Sequence, residues 1–316
     1  MGALLHAGRP LRAQDDPELF EQTVPRSLVH RAAVSEVLLT GRRSTPDAHH
    51  IGAQWSRGHG FYGVVDGRWH DPMVFGETLR QACLLLAHEA LDVPMDFSFL
   101  TESTSFEVSE AGMRLSRPSG PAHVVFEMRL EEVKRRAGVV SSYAYGVIAQ
   151  REGVRVGSGR LGGKCISPAV YRRLRADRLE AVPPRTPVEP VDPRLVGRDS
   201  AADVVLGASV REGARPLRIA AEHPVLFDHA VDHVPGMVLM EAARQAALLA
   251  LGTPRGLLVA CAARFLRYVE FDSPCLVSAD PPEREEAGRR ALTVRFHQDG
   301  TEVGSCRVAI HAADGE

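Results

Sequence analysis

Lysine is nearly missing from this sequence. Only Lys134 and Lys164 occur, and lysine plus arginine total 38 against 40 acidic residues, which gives a formal net charge of −2. A dedicated nucleic-acid-binding protein is expected to carry an overall basic surplus, so the composition argues against that class. Cysteine is also scarce, and the five cysteines are scattered, with no pair at the short spacing of a zinc or redox motif. We therefore expect reduced, mostly buried thiols and no metal site.

Long hydrophobic runs are lacking too. The longest apolar stretch, near residues 256–263, is far shorter than the roughly 20 residues that span a bilayer. The first residues contain no extended apolar segment, so a secretory signal is not expected. These absences predict a cytoplasmic protein without membrane association. Apolar residues nevertheless make up 44% of the chain, which suffices for the core of one large domain or two ordinary ones.

The sequence nearly repeats itself. Three short blocks of the first half recur in the second half, in the same order and at decreasing separation. The blocks lie at 28–31, 73–82 and 153–160, and their repeats lie at 195–198, 237–246 and 300–307. Ordered repeats of this kind predict a duplicated domain, whose first copy carries an insertion between about residues 105 and 142.

The segment between the two copies is rich in proline. Prolines recur through residues 166–194 too densely for a helix interior or a central strand. We therefore predict an N-terminal domain at 1–165, a proline-rich linker at 166–194 and a C-terminal domain at 195–316. Within the linker, residues 171–179 are expected to form one short helix.

Each copy contains one helix that is apolar on most faces. We expect the first over 73–91, because Asp71 can cap its free amides and Pro72 suits the first helical position. We expect the second over 235–251, ended by Gly252. A helix that is apolar nearly all round must be enclosed by other elements.

β-rich runs follow each predicted helix. They lie at 124–130, 139–150, 291–297 and 306–311, and hairpin turns are expected at 152–153 and 299–300. A long buried helix followed by several antiparallel strands is the hot-dog plan. The predicted class is therefore α+β, with two tandem hot-dog folds, each an antiparallel sheet wrapped around a long central helix.

Each enclosed helix contains one pair of charged residues among its apolar positions. Glu77 and Arg80 share one face of the first helix, and Glu241 and Arg244 occupy the same places in the second. One interpretation is a structural ion pair in each copy. The other is catalysis, because a buried carboxylate is costly unless it is paired or reactive, and burial can raise its pKa toward the working range of a general base.

The loop before the second helix favours catalysis over a purely structural ion pair. His229 precedes the Pro235-Gly236 start of that helix, and Glu241 follows about one turn later. This arrangement resembles the acyl-carrier-protein hot-dog dehydratases, in which a loop histidine works with an acidic residue on the helix. By that resemblance, His229 matches the dehydratase histidine and Glu241 its acidic partner.

Over most of the chain the motifs resemble the A-factor-type γ-butyrolactone synthases, the AfsA-like family. The resemblance covers about residues 23–307 and is carried by segments 24–31, 77–81, 229–237 and 241–246. It implies a double hot-dog fold packed as a pseudo-dimer, without a cofactor. It also implies an acyltransferase that joins a β-ketoacyl group from acyl carrier protein to dihydroxyacetone phosphate. The ester can then close to a butenolide phosphate, the precursor of a γ-butyrolactone-type or furan signalling molecule.

The candidate bases for this reaction are His229, Glu77 and Glu241. In hot-dog dehydratase dimers, the histidine and the acid of one site come from different subunits. By analogy His229 would face Glu77 and Arg80 of the other copy. The position matching His229 in the first copy is Val65, so the two pseudo-equivalent sites are expected to differ in chemistry.

Four further residues are candidates for substrate binding. Arg80 and Arg244 carry guanidinium groups, whose geometry matches phosphate oxygens. Amides near Gly236, at a helix start, can stabilise an oxyanion. His233 lies in the same loop as His229 and can replace it. His30 belongs to a family motif, but its counterpart in the second copy is Gly197, so a structural role is favoured.

Acyl carrier proteins are acidic, so a basic docking patch is expected. Its candidates are residues 134–136 and the linker arginines Arg172, Arg173 and Arg175. The sequence leaves open whether several copies of the chain form a homo-oligomer.

Two alternative functions stay open. An acyl-thioester dehydratase or thioesterase is disfavoured, since neither needs a phosphate-binding arginine beside each glutamate. A non-catalytic lipid- or lactone-sensing protein is disfavoured by the retained histidine, glutamates and arginines.

Overall fold

A computed structural model describes residues 16–115, 120–185, 187–210, 213–284 and 288–312. The N-terminal residues that bear on a secretory signal lie outside these ranges. The α-helices of the described part are α1 (Met73–Glu89), α2 (Glu110–Met113), α3 (Pro168–Arg175) and α4 (Gly236–Leu251). None of these helices is long and apolar enough to cross a membrane.

The strands of the described part are β1 (Leu39–Ser44), β2 (His49–Trp55), β3 (Val64–Val65), β4 (Trp69–His70), β5 (Ser98–Val108), β6 (Ala122–Arg136), β7 (Val139–Arg151), β8 (Val154–Ile166), β9 (Arg215–Pro216), β10 (Leu257–Phe265), β11 (Cys275–Ala279), β12 (Glu283–Arg284), β13 (Arg289–Gln298) and β14 (Thr301–His311). β3 and β4 form a separate two-stranded sheet. The others form one 12-stranded sheet in which every pairing is antiparallel.

The large sheet consists of two halves with matching strand orders. The first half runs β1-β2-β6-β7-β8-β5, and the second runs β10-β14-β13-β11-β9, with β12 also paired to β13. β5 and β10 join the halves edge to edge, with Phe106 opposite Cys261. The matched orders, reversed about this junction, make the chain a pseudo-dimer of two hot-dog folds, as predicted.

Helix α1 lies in the core of the first half, and its limits have local causes. Asp71 Oδ1 accepts a hydrogen bond from the Met73 amide at 2.9 Å, which confirms the predicted cap. The helix ends at Glu89, two residues earlier than expected, and Asp92 then takes a left-handed conformation with φ 56°. Every residue of α1 is buried except Glu89 and the half-buried Arg80.

Helix α4 occupies the corresponding place in the second half. It follows Pro235 and ends at Gly252, which adopts φ 63° and donates its amide to the carbonyls of Leu248 and Leu249. Glycine suits this left-handed position because it has no Cβ. The predicted second helix and its end are confirmed.

The four predicted strand segments lie within β6, β7, β13 and β14. Positive φ values at Glu152-Gly153 and Asp299-Gly300 confirm the two hairpin turns. The first copy is longer where the insertion is expected, because β6 has 15 residues and its counterpart β11 has 5.

Candidate active site

Glu77 lies at the centre of a buried ionic network in the first copy. Its Oε1 atom accepts hydrogen bonds from Arg31 Nε at 3.1 Å, Arg80 Nη2 at 2.9 Å and Gln81 Nε2 at 2.7 Å. Its Oε2 atom accepts from Arg80 Nε at 2.9 Å. The Glu77 side chain is 1% exposed. Two guanidinium groups and an amide therefore surround this carboxylate.

Glu241 lies at the centre of the same network in the second copy. Its Oε1 atom accepts from Arg198 Nε at 3.0 Å, from Arg244 Nη2 at 2.7 Å and from Gln245 Nε2. Its Oε2 atom accepts from Arg244 Nε at 2.9 Å, and its side chain is fully buried. Gln245 also accepts from the Val205 amide, so the network ties α4 to the segment before it.

The expectation that burial raises the pKa of the two glutamates is wrong. Burial alone does raise the carboxyl pKa, but the charges of Arg31 and Arg80 outweigh it, and the pKa of Glu77 falls to about 2. Arg198 and Arg244 outweigh burial in the same way at Glu241, whose pKa also falls to about 2. Both carboxylates are thus ionised counter-ions over the working pH range, which disfavours the predicted role of general base.

Arg31 and Arg198 are the network members that the sequence interpretation missed. Arg31 Nη1 donates to the Val225 carbonyl of the other copy at 3.0 Å, and Arg198 Nη1 donates to the Phe61 carbonyl at 2.6 Å. Each arginine therefore bridges the two copies. The signal that could have identified them was present, since both end the repeated blocks at 28–31 and 195–198.

One cavity lies between the two copies. Among the described cavities, it is the one that most of the predicted site residues line. It has a volume of about 240 Å³. Its polar wall includes His30, Arg31, Arg80, Asp228, His229 and His233, with Gly236 at the start of α4. Its apolar wall includes Leu84, Phe99, Leu161, Met237, Met240 and Phe265. The predicted juxtaposition of His229 with Arg80 across the copies is therefore present, with Glu77 behind Arg80.

The pseudo-equivalent position in the second copy is closed. The Arg198 guanidinium lies 3.9 Å from the centre of the Phe61 ring, which covers it. The Arg244 side chain is 5% exposed, against 24% for Arg80. Arg244 and Glu241 line none of the described cavities. Because Arg244 is sealed from solvent, its predicted role in phosphate binding finds no support in this geometry.

His229 is held by its neighbour Asp228. The Nδ1 atom of His229 lies 3.5 Å from Asp228 Oδ2, and the imidazole is 47% exposed. Asp228 is buried and accepts hydrogen bonds from the amides of Ala32 and Ala33 in the other copy. Partial burial, with Arg80 and Arg31, lowers the pKa of His229 although Asp228 raises it. The lowered pKa favours the neutral imidazole, and Asp228 is a neighbour of His229 that adjacency in the sequence could have revealed.

His233 has a matching partner in Asp232. Their Nδ1 and Oδ1 atoms are 2.6 Å apart. Asp232 also accepts hydrogen bonds from Tyr171 Oη at 2.8 Å and from Arg175 Nε at 2.8 Å. Arg175 is 3% exposed and pairs with Glu270 as well. The expectation that Arg175 belongs to a docking patch is wrong, because its guanidinium is buried and forms ion pairs with Asp232 and Glu270.

Gly236 begins α4 at the edge of the cavity. No side chain caps this helix, so the amides of its first turn have no side-chain acceptor. A Cβ added at Gly236 would lie 3.1 Å from the Phe265 ring, so the backbone packs closely there. Uncapped amides at a helix start suit a developing negative charge. Within the described residues, no three His, Cys, Asp or Glu side chains cluster as metal ligands would.

Comparison with known proteins agrees with this architecture. The model of the A-factor biosynthesis hotdog domain (AfsA) matches residues 12–167 and 179–314. A Streptomyces virginiae protein named 2-oxo-3-(phosphooxy)propyl 3-oxoalkanoate synthase is 40% identical over 294 residues, which cover 92% of this chain and 98% of that protein. A Streptomyces coelicolor protein of the same name is 34% identical over 297 residues, covering 93% of this chain and 94% of that protein. The chain therefore belongs to the AfsA family of A-factor biosynthesis hot-dog proteins.

Proposed function

We propose that this protein is an acyltransferase that joins a 3-oxoacyl group, carried as a thioester, to the hydroxyl of dihydroxyacetone phosphate. The product is the 2-oxo-3-(phosphooxy)propyl 3-oxoalkanoate after which its relatives are named. The observation that carries the proposal is the cavity between the copies, where an imidazole, a guanidinium and uncapped helix amides meet beside an apolar wall. Closure of the ester to a butenolide phosphate would follow by intramolecular condensation.

His229 is the base in this proposal. With its Nδ1 proton directed at Asp228, the Nε2 atom carries the lone pair that accepts the proton of the attacking hydroxyl. The hydroxyl oxygen then bonds to the thioester carbonyl carbon, and the carbon–sulfur bond breaks. The proton passes from His229 to the departing thiolate, so the enzyme ends in its starting state.

The amides at the start of α4 stabilise the oxyanion that forms during this attack. Gly236 lines the cavity, and no side chain competes for the amides of the first turn. Preorganised amides of this kind are worth about 2.7–4 kcal/mol of transition-state stabilisation per donor. His233 lines the same wall, where Asp232 fixes its orientation.

Arg80 binds the phosphate. Its Nε and Nη2 atoms are held by Glu77, whereas its Nη1 atom makes no hydrogen bond to the described residues. The side chain lines the cavity and is 24% exposed. A guanidinium held by a buried carboxylate can offer its remaining donor to a phosphate without reorganisation. Glu77 is then a positioning residue for Arg80.

The acyl donor is proposed to arrive on an acyl carrier protein in the cytoplasm. Such carriers are acidic, and basic side chains are exposed at Lys134, Arg135 and Arg136 on β6 and at Arg172 and Arg173 on α3. The proposed docking patch is therefore the one predicted from the sequence without Arg175, which is buried.

The alternatives fit the cavity less well. A dehydratase or a thioesterase has no phosphate to bind, yet Arg80 is exposed to the cavity that contains His229. A non-catalytic sensor has no need for a buried aspartate beside an exposed imidazole, as in the Asp228–His229 pair.

The test is incubation of the protein with a 3-oxoacyl carrier protein and dihydroxyacetone phosphate, followed by mass spectrometry. The phosphorylated ester, or the butenolide phosphate derived from it, is expected. Release of free 3-oxo acid alone would indicate a thioesterase, and no product at all would contradict catalysis. In Arg80→Ala, the loss of one charge-assisted hydrogen bond, about 1.5–3 kcal/mol, should raise KM for dihydroxyacetone phosphate roughly 10- to 150-fold. Unphosphorylated dihydroxyacetone should be affected little, and Arg160→Ala, at an exposed ion pair, is the matched control.

A further inference from the structure

His30 adopts a backbone conformation that suits glycine better than histidine. It follows the short helix at Arg26–Val29 with φ 51° and ψ 53°, and its counterpart in the second copy is Gly197 with φ 67° and ψ 34°. The left-handed conformation costs an L-residue roughly 1–2 kcal/mol, and glycine avoids this cost. The first copy therefore keeps an imidazole at a strained position, and that position lines the cavity. Local strain of this kind is a reason to look for a function.

A chain of hydrogen bonds fixes which nitrogen of His30 carries its proton. His88 Nδ1 lies 2.8 Å from the Val93 carbonyl oxygen, which can only accept, so this nitrogen carries a proton. In neutral His88 the Nε2 atom is then an acceptor. His30 Nε2, 2.9 Å away, must donate to it. The remaining nitrogen of His30, Nδ1, therefore carries a lone pair, and it makes no hydrogen bond to any residue in the described ranges.

The surroundings of His30 keep this ring neutral. Burial, first, lowers the pKa of His30, followed by repulsion from His88 when that ring is protonated, from the charged Arg80, and from a protonated His229, to about 4. The Phe99 ring on β5 packs edge-on against the imidazole at 5.4 Å. His30 is therefore a poor base, and its Nδ1 atom is a fixed hydrogen-bond acceptor.

His30 also lies where the cavity adjoins a second space. A second, more open groove is lined by His30, Phe99, His229 and His233 together with Tyr171 and Pro183 of the interdomain segment. Because His30 and His229 both line the two spaces, a long substrate that lies from the groove into the cavity contacts the region of His30 as well as that of His229. Dihydroxyacetone phosphate has a single hydroxyl, and in the proposed reaction that proton goes to His229. Of the two substrates, the acyl donor is then the one that can supply a hydrogen-bond donor to His30.

We propose that His30 is a specificity-determining residue, whose Nδ1 atom accepts a hydrogen bond from an amide N–H in the pantetheine-type arm of the acyl thioester. This inference rests on the proposed function for the nature of the donor. It gives the strained histidine a task that Gly197 does not have, because Gly197 lines none of the described cavities. It also makes the first copy the one that recognises the carrier arm.

The test compares two small 3-oxoacyl thioesters that differ in one atom. The N-acetylcysteamine thioester contains the amide N–H, and the 2-acetoxyethanethiol thioester has an ester oxygen in its place. Wild-type protein should favour the amide thioester in kcat/KM by about 3- to 10-fold, the size of one neutral hydrogen bond. His30→Gly, which fits the left-handed backbone, should fold normally and lower this ratio to about 1. His30→Asn, whose side-chain oxygen can accept, should restore part of it.

Two outcomes would overturn the inference: an unchanged ratio in His30→Gly, or an Nδ1–H tautomer of His30 in 15N NMR of histidine-labelled protein. Titration calorimetry with unreactive thioether analogues of the same two arms requires no turnover. If the proposed reaction fails, calorimetry can therefore still test the role of His30. A failure of the reaction and a failure of the His30 inference are distinguishable.

Discussion

Replacing Glu77 with glutamine decides whether this carboxylate is a buried counter-ion or a catalytic base. Glutamine keeps the shape of the side chain but removes the charge that Arg31 and Arg80 share. Because the Glu77 side chain is 1% exposed, water cannot replace that charge. Removing one partner of a buried ion pair costs about 3–5 kcal/mol. We therefore expect Glu77→Gln to lose that much of its free energy of unfolding at pH 7.

The pKa of Glu77 leads to the same magnitude for the loss in free energy of unfolding. Its fall from 4.5 to about 2 on folding corresponds to roughly 3 kcal/mol, at about 1.36 kcal/mol for each pKa unit. Because the folded-state pKa is the lower one, this stability is complete above about pH 4.5 and is lost as the pH falls toward 2. The variant should therefore show a flatter dependence of stability on pH within that window.

Urea unfolding followed by circular dichroism measures both effects. Glu102→Gln is the matched control, because Glu102 pairs with Lys164 at 2.6 Å with both side chains about half exposed. Such exposed pairs contribute about 0–1 kcal/mol, so the control should unfold almost as the wild type does. The reasoning would be refuted by a Glu77→Gln protein that is as stable as the wild type and yet inactive, since that result would make Glu77 a base.

Three further predictions concern the base, a helix end and a buried hydrogen bond. The kcat/KM of the wild type should rise with pH with its midpoint below pH 6.5, because the pKa of His229 is lowered from that value. Asp228→Asn should move this midpoint to still lower pH, as pH–rate profiles would show. Gly252→Ala should lose about 1–2 kcal/mol in urea unfolding, because φ is 63° at this position, and no loss would contradict the strain argument. Thr78→Val should lose about 1–3 kcal/mol in the same assay, because it leaves the buried Trp55 indole N–H, now 2.9 Å from Thr78 Oγ1, without an acceptor.

The helix limits were predictable because their causes are local. The Asp71 side chain and the Gly252 backbone each act within three residues of the helix end that they define. Strand positions followed from alternation, and the edge-to-edge pairing followed from the duplication. The meeting of His229 with Arg80 was also predictable, but only through the analogy with dimers that exchange residues across their interface.

The electrostatics of the site were not predictable from spacing alone. The direction of the Glu77 pKa depends on Arg31, which lies 46 residues earlier in the chain and reaches the carboxylate only in the folded protein. Burial of the glutamate suggested a raised pKa, whereas the two neighbouring arginines lower it. The closure of the second pseudo-site has a similar origin, because Phe61 reaches Arg198 across 137 positions.

Comparing the two copies separates what holds the fold from what performs the chemistry. The Arg-Glu-Arg-Gln network occurs twice with nearly the same distances, once beside the cavity and once where its residues line none of the described cavities. A feature present in both places cannot by itself explain activity in one, so the network is a scaffold that joins helix, loop and opposite copy. The positions that differ are His30 against Gly197 and His229 against Val65. Because both copies are parts of one chain, each position was free to change alone, and the proposed chemistry uses the positions where the symmetry is broken.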